Sequence, residues 1–86
     1  MNDEQVQARI EELEREEQRL RSDEQAAADA GGTDQVAADA RRLEEVRVAL
    51  DRLWDYLRRR RALHDAGQDP DTAQLRDAET VERYLG

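Results

Sequence analysis

Apolar residues recur at alternating steps of four and three positions in two long segments of the chain, interrupted by two acids in the first segment and one in the second. This spacing places a continuous stripe along one side of a helix and is typical of helices that pair with each other. The first stripe consists of Val6, Ile10, Leu13, Glu17, Leu20, Glu24 and Ala27. The second stripe consists of Val36, Asp39, Leu43, Val46, Leu50, Leu53 and Leu57.

The sequence AGGTD at residues 30–34 separates the two stripes. Paired glycines end a helix because the first can adopt the left-handed conformation, and Thr33 or Asp34 is then expected to cap the next helix. If the stripes face each other about this turn, the residue numbers of every facing pair sum to 63. The stripes and the turn therefore agree on one register, which predicts a long antiparallel, coiled-coil-like hairpin with helices over about 3–29 and 34–65.

The same register predicts which charges meet. Glu24 faces Asp39, so we expect the hairpin to be loose near its turn and well packed toward its open end. Asp3 faces Arg60. The acids of the first helix are accordingly expected near the four consecutive arginines of the second; they are Asp3, Glu4, Glu11 and Glu14.

The second helix is predicted to end near Ala66, because Gly67 can take the left-handed position and Asp69-Pro70 stops the helix. Residues 1–68 then form the hairpin and 69–86 a tail, with a short helix over about 78–85. The apolar face of that helix needs a surface to cover; it consists of Val81, Tyr84 and Leu85. Trp54 and Leu63 lie off the main stripe and are the expected surface. The predicted fold is all-α.

Composition narrows the possible functions of these 86 residues. Aromatic residues make up 3% of the chain, so an enclosed pocket with aromatic walls is not expected. The net charge of −8 repels phosphate backbones and anionic lipid. No apolar run is long enough to span a bilayer, and the first residues lack the features of a signal peptide, so the expected location is the cytoplasm.

The segment from the tryptophan to the C-terminus resembles an uncharacterised family of short actinobacterial proteins with a domain of unknown function. The family pattern has an N-terminal I..L..EE..LR stretch followed by W-D-x-L-R-x-R-R-A, G-x-D-P-D-x-A and V-x-x-Y-L. In this chain these blocks begin at Ile10, Trp54, Gly67 and Val81. The resemblance covers nearly the whole chain and implies no known activity.

The arginine run Arg58, Arg59, Arg60 and Arg61 suggests phosphate binding at first sight. Residues of a helix turn by about 100° each, however, so four consecutive arginines point to all sides and do not form one patch. The preferred interpretation is that they complement the helix dipole and pair with the acidic first helix. Nucleic-acid association through this run is the alternative.

Other chemistry has little support in the sequence. The single histidine, His64, with Asp65, Asp69 and Asp71 matches no common zinc or calcium spacing, and the two later aspartates are expected to cap the turn. Glu16 and Glu17 diverge on a helix and lack a nucleophile or phosphate loop, and Glu17 is expected to pair with Arg21 or Arg47. We therefore predict no catalytic, cofactor or metal site.

The remaining hypothesis is a non-catalytic helical interaction module, an adaptor or regulator that contacts an unidentified protein. A lone hairpin leaves the sides of its apolar stripe open, so we also expect self-association as a two-fold homodimer that forms a four-helix bundle. Packing of the tail over the open side is the competing arrangement. The interface candidates are Leu50, Leu53, Trp54, Leu57, Leu63, Val81, Tyr84 and Leu85.

Overall fold

A computed structural model describes the backbone of residues 1–85 and the side chains of residues 1–83. Two long helices, α1 (Asp3–Asp29) and α2 (Thr33–Asp65), pack against each other as an antiparallel hairpin. A short 3-10 helix (Pro70–Thr72) follows, and α3 (Ala78–Leu85) packs back on α2. The all-α hairpin with a returning tail helix is therefore confirmed.

Both long helices end in the same way, on a glycine with positive φ. Gly31 (φ 76) follows α1 and Gly67 (φ 74) follows α2. At each end, the amide of the glycine and the amide after it donate to carbonyls of the preceding turn, for example Gln68 N to Leu63 O at 2.8 Å. These hydrogen bonds satisfy carbonyls that the helix itself leaves unpaired, which explains why the chain turns at these two points.

The expected cap of α2 is wrong. Gly32 is the N-cap residue and provides no side-chain hydrogen bond, while Thr33 is already the first helical residue. The physical reason is the shortness of the connection, because Gly32 both completes the end of α1 and accepts the first helical hydrogen bond of α2, from Val36 N at 3.0 Å. By contrast, α1 has a reciprocal cap in which Asn2 and Gln5 bond each other's backbone amides.

The core follows the predicted stripe along the hairpin. Near the open end Val6 and Leu57 are buried almost completely, whereas Ala27 and Val36 beside the turn are only partly buried. The register is visible in one contact, because Arg60 Nε lies 2.7 Å from Asp3 Oδ1. The buried apolar stripe residues are Val6, Ile10, Leu13, Leu20, Leu43, Val46, Leu50, Leu53 and Leu57.

The facing acids Glu24 and Asp39 differ in burial. Asp39 is 6% exposed, and its Oδ1 accepts a hydrogen bond from Gln35 Nε2 at 2.7 Å. Its Oδ2 is buried and has no hydrogen-bond partner among the described residues. A carboxylate in this setting loses hydration without full compensation, so it weakens the turn half of the hairpin.

Candidate interaction surface on the second helix

The tail lies along one face of α2 and is held there by arginine side chains. Arg52 Nε donates to the backbone carbonyl of Arg76 at 2.8 Å, and Arg59 donates to the carbonyl of Gln74. Asp55 lies between them, buried, with Arg59 Nε at 3.1 Å and Arg76 Nη1 at 3.7 Å. We call this the covered face; it consists of Arg52, Asp55, Arg59 and Leu63.

Arg60 joins three segments at the open end of the hairpin. Its guanidinium contacts Asp3 of α1, Asp71 Oδ1 at 2.9 Å and the carbonyl of Pro70 at 3.3 Å. It also stacks over the Tyr56 ring at 5.8 Å from the centroid. The hydrogen bonds to Asp3 and Asp71 raise the pKa of Arg60, so this buried cation is charged at every physiological pH.

The opposite side of α2 is uncovered. Trp54 is two positions from Arg52, which holds the tail, so its side chain points about 200° around the helix from that of Arg52. Trp54 is 40% exposed. Beside it lies an open groove of about 400 Å³ lined by Glu14, Glu17, Arg47, Leu50, Asp51 and Trp54. Arg58 and Arg61 follow Trp54 at four and seven positions, which continues the same face. We call this surface, Trp54 with its groove and these two arginines, the open face.

The arginine run is thus divided between two surfaces. Arg60 is buried and Arg59 half-buried, and both hold the tail. Arg58 and Arg61 are exposed, and neither makes an ion pair with any residue whose side chain the structure describes. Of the acids expected near the run, Asp3 pairs with Arg60, whereas Glu4, Glu11 and Glu14 form no ion pair with these arginines.

The apolar candidates are also divided. Leu50, Leu53 and Leu57 are buried between the two helices, and Val81 of the tail is 1% exposed. Leu63 lines a second groove together with Thr72 and Ala73. The side chains of Tyr84 and Leu85 lie outside the described residues. The expectation that the tail covers Trp54 is wrong, because the arginine contacts hold the tail on the other side of α2.

Sequence reasoning missed a third groove on the tail side of the hairpin. Met1 and Leu75, 57% and 46% exposed, stand above Leu13, Ala49 and Leu53 in a space of about 270 Å³. The sequence holds no signal for it, since Leu75 lies in an irregular segment without periodicity. Its position depends on the contact of Arg52 with the neighbouring backbone.

Glu17 and Glu16 serve the hairpin in different ways. Glu17 lies 3.5 Å from Arg21 and 3.9 Å from Arg47, so both expected partners are present. Glu16 forms a two-pronged pair with Arg42 across the helices, at 2.6 Å and 3.1 Å, and this hydrogen bonding lowers the pKa of Glu16. The pairs of Glu16 with Arg42 and of Glu17 with Arg47 tie α1 to α2 along the middle of the hairpin.

His64 and its neighbours form no enclosed site. The His64 and Asp65 side chains are about four-fifths exposed and 3.5 Å apart. Asp69 caps the 3-10 helix by accepting from Asp71 N, and Asp71 bonds Arg60. In residues 1–83 no three side chains of the His, Asp or Glu type are grouped to hold a metal ion. None of the helices within residues 1–85 is long and apolar enough to cross a bilayer.

Comparison with known proteins supports the family resemblance. A family model described as protein of unknown function, DUF2630, matches residues 2–86. The chain belongs to this family. Uncharacterized proteins Mb0922c of Mycobacterium bovis and Rv0898c of Mycobacterium tuberculosis are each 44% identical to it over 48 residues, which is 56% of this chain. The match spans 55% of the length of these relatives, and no solved structure matches the chain.

Proposed function

We propose that this DUF2630 protein is a non-catalytic, cytoplasmic helical interaction module that binds another protein through the open face. The observation that carries the proposal is Trp54, a large aromatic side chain left 40% exposed on a helix whose opposite face is covered by the tail. Tryptophan is among the residues that contribute most to protein interfaces. An uncovered tryptophan beside an open groove is therefore a suitable anchor.

The surroundings of Trp54 support binding rather than catalysis. The groove is open to solvent, and its charged lining residues are three carboxylates and one guanidinium. Ser, Cys and His, which serve as nucleophiles or bases in most acyl and phosphoryl transfer sites, do not line it. Charged groups around an aromatic anchor are typical of a polar rim that selects the partner.

Site-specific photocrosslinking in host cells tests this proposal. A benzophenone amino acid replaces Trp54 in one strain and Arg15, exposed on the outer side of α1, in a control strain. We expect discrete protein adducts from position 54 that are weak or absent from position 15. The same faint adducts from both positions, or none from position 54, would show that the open face binds no protein.

Nucleic-acid association is the second candidate, and the exposure of Arg58 and Arg61 is the observation that favours it. Only these two arginines of the run remain free for phosphate, since Arg59 and Arg60 hold the tail. Heparin chromatography separates the candidates. Retention that falls steeply with salt, and that is lost in Arg58→Gln/Arg61→Gln, would favour nucleic acid; passage without retention supports the protein-binding proposal.

A further inference from the structure

We infer that the partner of the open face is a second copy of this chain, docked antiparallel about a two-fold axis at Trp54. The inference rests on the proposed function of the open face as a protein-binding surface. It differs from a bundle built on the apolar stripe, because Leu50, Leu53 and Leu57 are already buried within one chain. What remains for a second copy is an aromatic anchor within a pattern of charges.

The charges of the open face are separated along the helix axis. Asp51 lies on the turn side of Trp54, and Glu14 lines the same groove from α1. Arg58 and Arg61 lie on the other side of Trp54, toward the open end of the hairpin. All four side chains are exposed, and none forms an ion pair with a described residue. The groove also contains Glu17 and Arg47, which lie 3.9 Å apart, so its charged lining is three carboxylates and one guanidinium and remains net negative. The face therefore has a net acidic half and a basic half with the tryptophan between them.

A two-fold axis at Trp54 brings the unlike halves together. The axis reverses the direction of α2, so Arg58 of one copy lies level with position 50 of the other, and Arg61 lies level with position 47. Within one chain the hairpin register places Glu14 level with Ala49. Arg58 thus lies beside Asp51 and Glu14 of the other copy, and Arg61 lies level with Arg47, whose charge is offset by Glu17 at 3.9 Å. A parallel arrangement would instead place Arg58 and Arg61 against the same two arginines of the other copy.

The shape of the molecule agrees with this arrangement. The principal extents are 55 × 25 × 15 Å, and the smallest is close to the thickness of one helical layer. The open face is one broad side of that layer, so two copies can stack as two layers of helices. The groove extends from Trp54 toward Arg47, so the two-fold axis brings the two indoles level with each other and places Arg58 and Arg61 of one copy over the groove of the other.

Other partners match only half of the face. A phosphate backbone would meet Glu14 and Asp51 around Trp54 and be repelled by them. A basic peptide would pair with these acids but leave Arg58 and Arg61 opposed to like charge. Because the contact combines one aromatic anchor with exposed ion pairs, we expect a weak dimer that added salt dissociates.

Charge exchange between two variants tests the register. Arg58→Glu/Arg61→Glu makes both halves acidic, and Glu14→Arg/Asp51→Arg makes both halves basic. Sedimentation equilibrium of the full chain at low salt should show the native protein rising from 9.9 kDa toward twice that mass with concentration. Each variant alone should remain a monomer, and their equimolar mixture should dimerise. Trp54→Ala should weaken the native dimer by about tenfold or more.

Controls separate this result from misfolding and from net charge. Arg15→Glu/Arg19→Glu changes the charge by the same amount on exposed positions of α1 and should dimerise like the native chain. Circular dichroism should show native helicity in every variant. A native chain that stays monomeric at millimolar concentration, or a mixture of variants that does, would overturn the two-fold register. Crosslinks from position 54 to a different protein would then leave the proposed function standing, so the two failures are distinguishable.

Discussion

The covered face and the open face of α2 contain the same residue types, arginine and aspartate, yet these residues have different surroundings. Arg59 and Arg60 donate to tail carbonyls, whereas Arg58 and Arg61 extend into solvent. Asp55 is buried between two arginines, whereas Asp51 lines an open groove. The contacts that a charge makes, and not its residue type, therefore decide whether it stabilises the fold or remains available for binding.

Neutralising the arginines in pairs is expected to give the largest difference between the faces. Arg59→Met/Arg60→Met keeps most of the apolar stem but removes both charges from the tail contacts. We expect it to lower the free energy of unfolding by about 2 kcal/mol. This loss is smaller than that expected on breaking a fully buried ion pair, because Asp3 and Asp71 stay partly hydrated. Arg58→Met/Arg61→Met should change it by less than about 0.5 kcal/mol.

Urea denaturation at a concentration where the chain is monomeric measures both pairs. Limited proteolysis should in addition cut the tail faster in the first variant only. Equal losses of stability in the two variants would show that the covered and open arginines do not differ.

The aspartates provide a second comparison of the two faces. Asp55→Asn keeps the shape of the side chain but removes the negative charge that Arg59 and Arg76 contact, so we expect a loss of about 1.5 kcal/mol in the free energy of unfolding. Asp51→Asn on the open face should be neutral to within about 0.5 kcal/mol. Thermal melts followed by circular dichroism compare them; a similar fall in melting temperature for both would argue against the buried role of Asp55.

Asp39→Asn should raise the free energy of unfolding, whereas Asp55→Asn should lower it. It is buried like Asp55, but its known contact is the neutral Gln35, and its Oδ2 is unpaired among the described residues. Asp39→Asn removes a charge that faces Glu24, so we expect a gain of about 1 kcal/mol in the free energy of unfolding. Urea denaturation alongside Asp55→Asn gives the measurement, and destabilisation by Asp39→Asn would mean that the charge has an unrecognised partner.

The smallest expected effect is the pH dependence of the Glu16 pair. Arg42 lowers the folded-state pKa of Glu16 below its ordinary value of 4.5, so the stabilisation is present above that pH and is lost as the pH falls through the folded pKa. Glu16→Gln should therefore cost about 0.5 kcal/mol at neutral pH and nothing in strong acid. A cost that persists in acid would contradict an electrostatic origin.

The hairpin was predictable because the residue types at particular positions determine its facing sides, its ends and its register. The stripe from Val6 to Leu57 fixes the facing sides, Gly31 and Gly67 fix the ends, and the pair of Asp3 with Arg60 follows from the register. The position of the tail was not predictable in this way. It depends on hydrogen bonds from Arg52 and Arg59 to the backbone carbonyls of Arg76 and Gln74. Because every residue has a backbone carbonyl, the sequence does not indicate which carbonyls accept these bonds.

The open face was predicted only in part, because the position of the tail could not be predicted. Trp54 stood out as an anchor off the main stripe, but its expected cover was the tail, because spacing alone does not tell which side of α2 the tail takes. The roles of Arg58 and Arg59 could not be separated from the run of four. Once Arg52 and Arg59 are known to hold the tail, helical spacing assigns Trp54, Arg58 and Arg61 to the opposite side.

Nuclear magnetic resonance of the labelled native chain, recorded over a dilution series at low salt, tests most directly whether the open face of α2 binds a partner while the covered face does not. We predict that the Trp54 indole signal and the amide signals of Arg58 and Arg61 shift with concentration, while those of Arg52, Asp55 and Arg59 stay fixed. Concentration-dependent shifts on the covered face, with a constant Trp54 signal, would contradict the account.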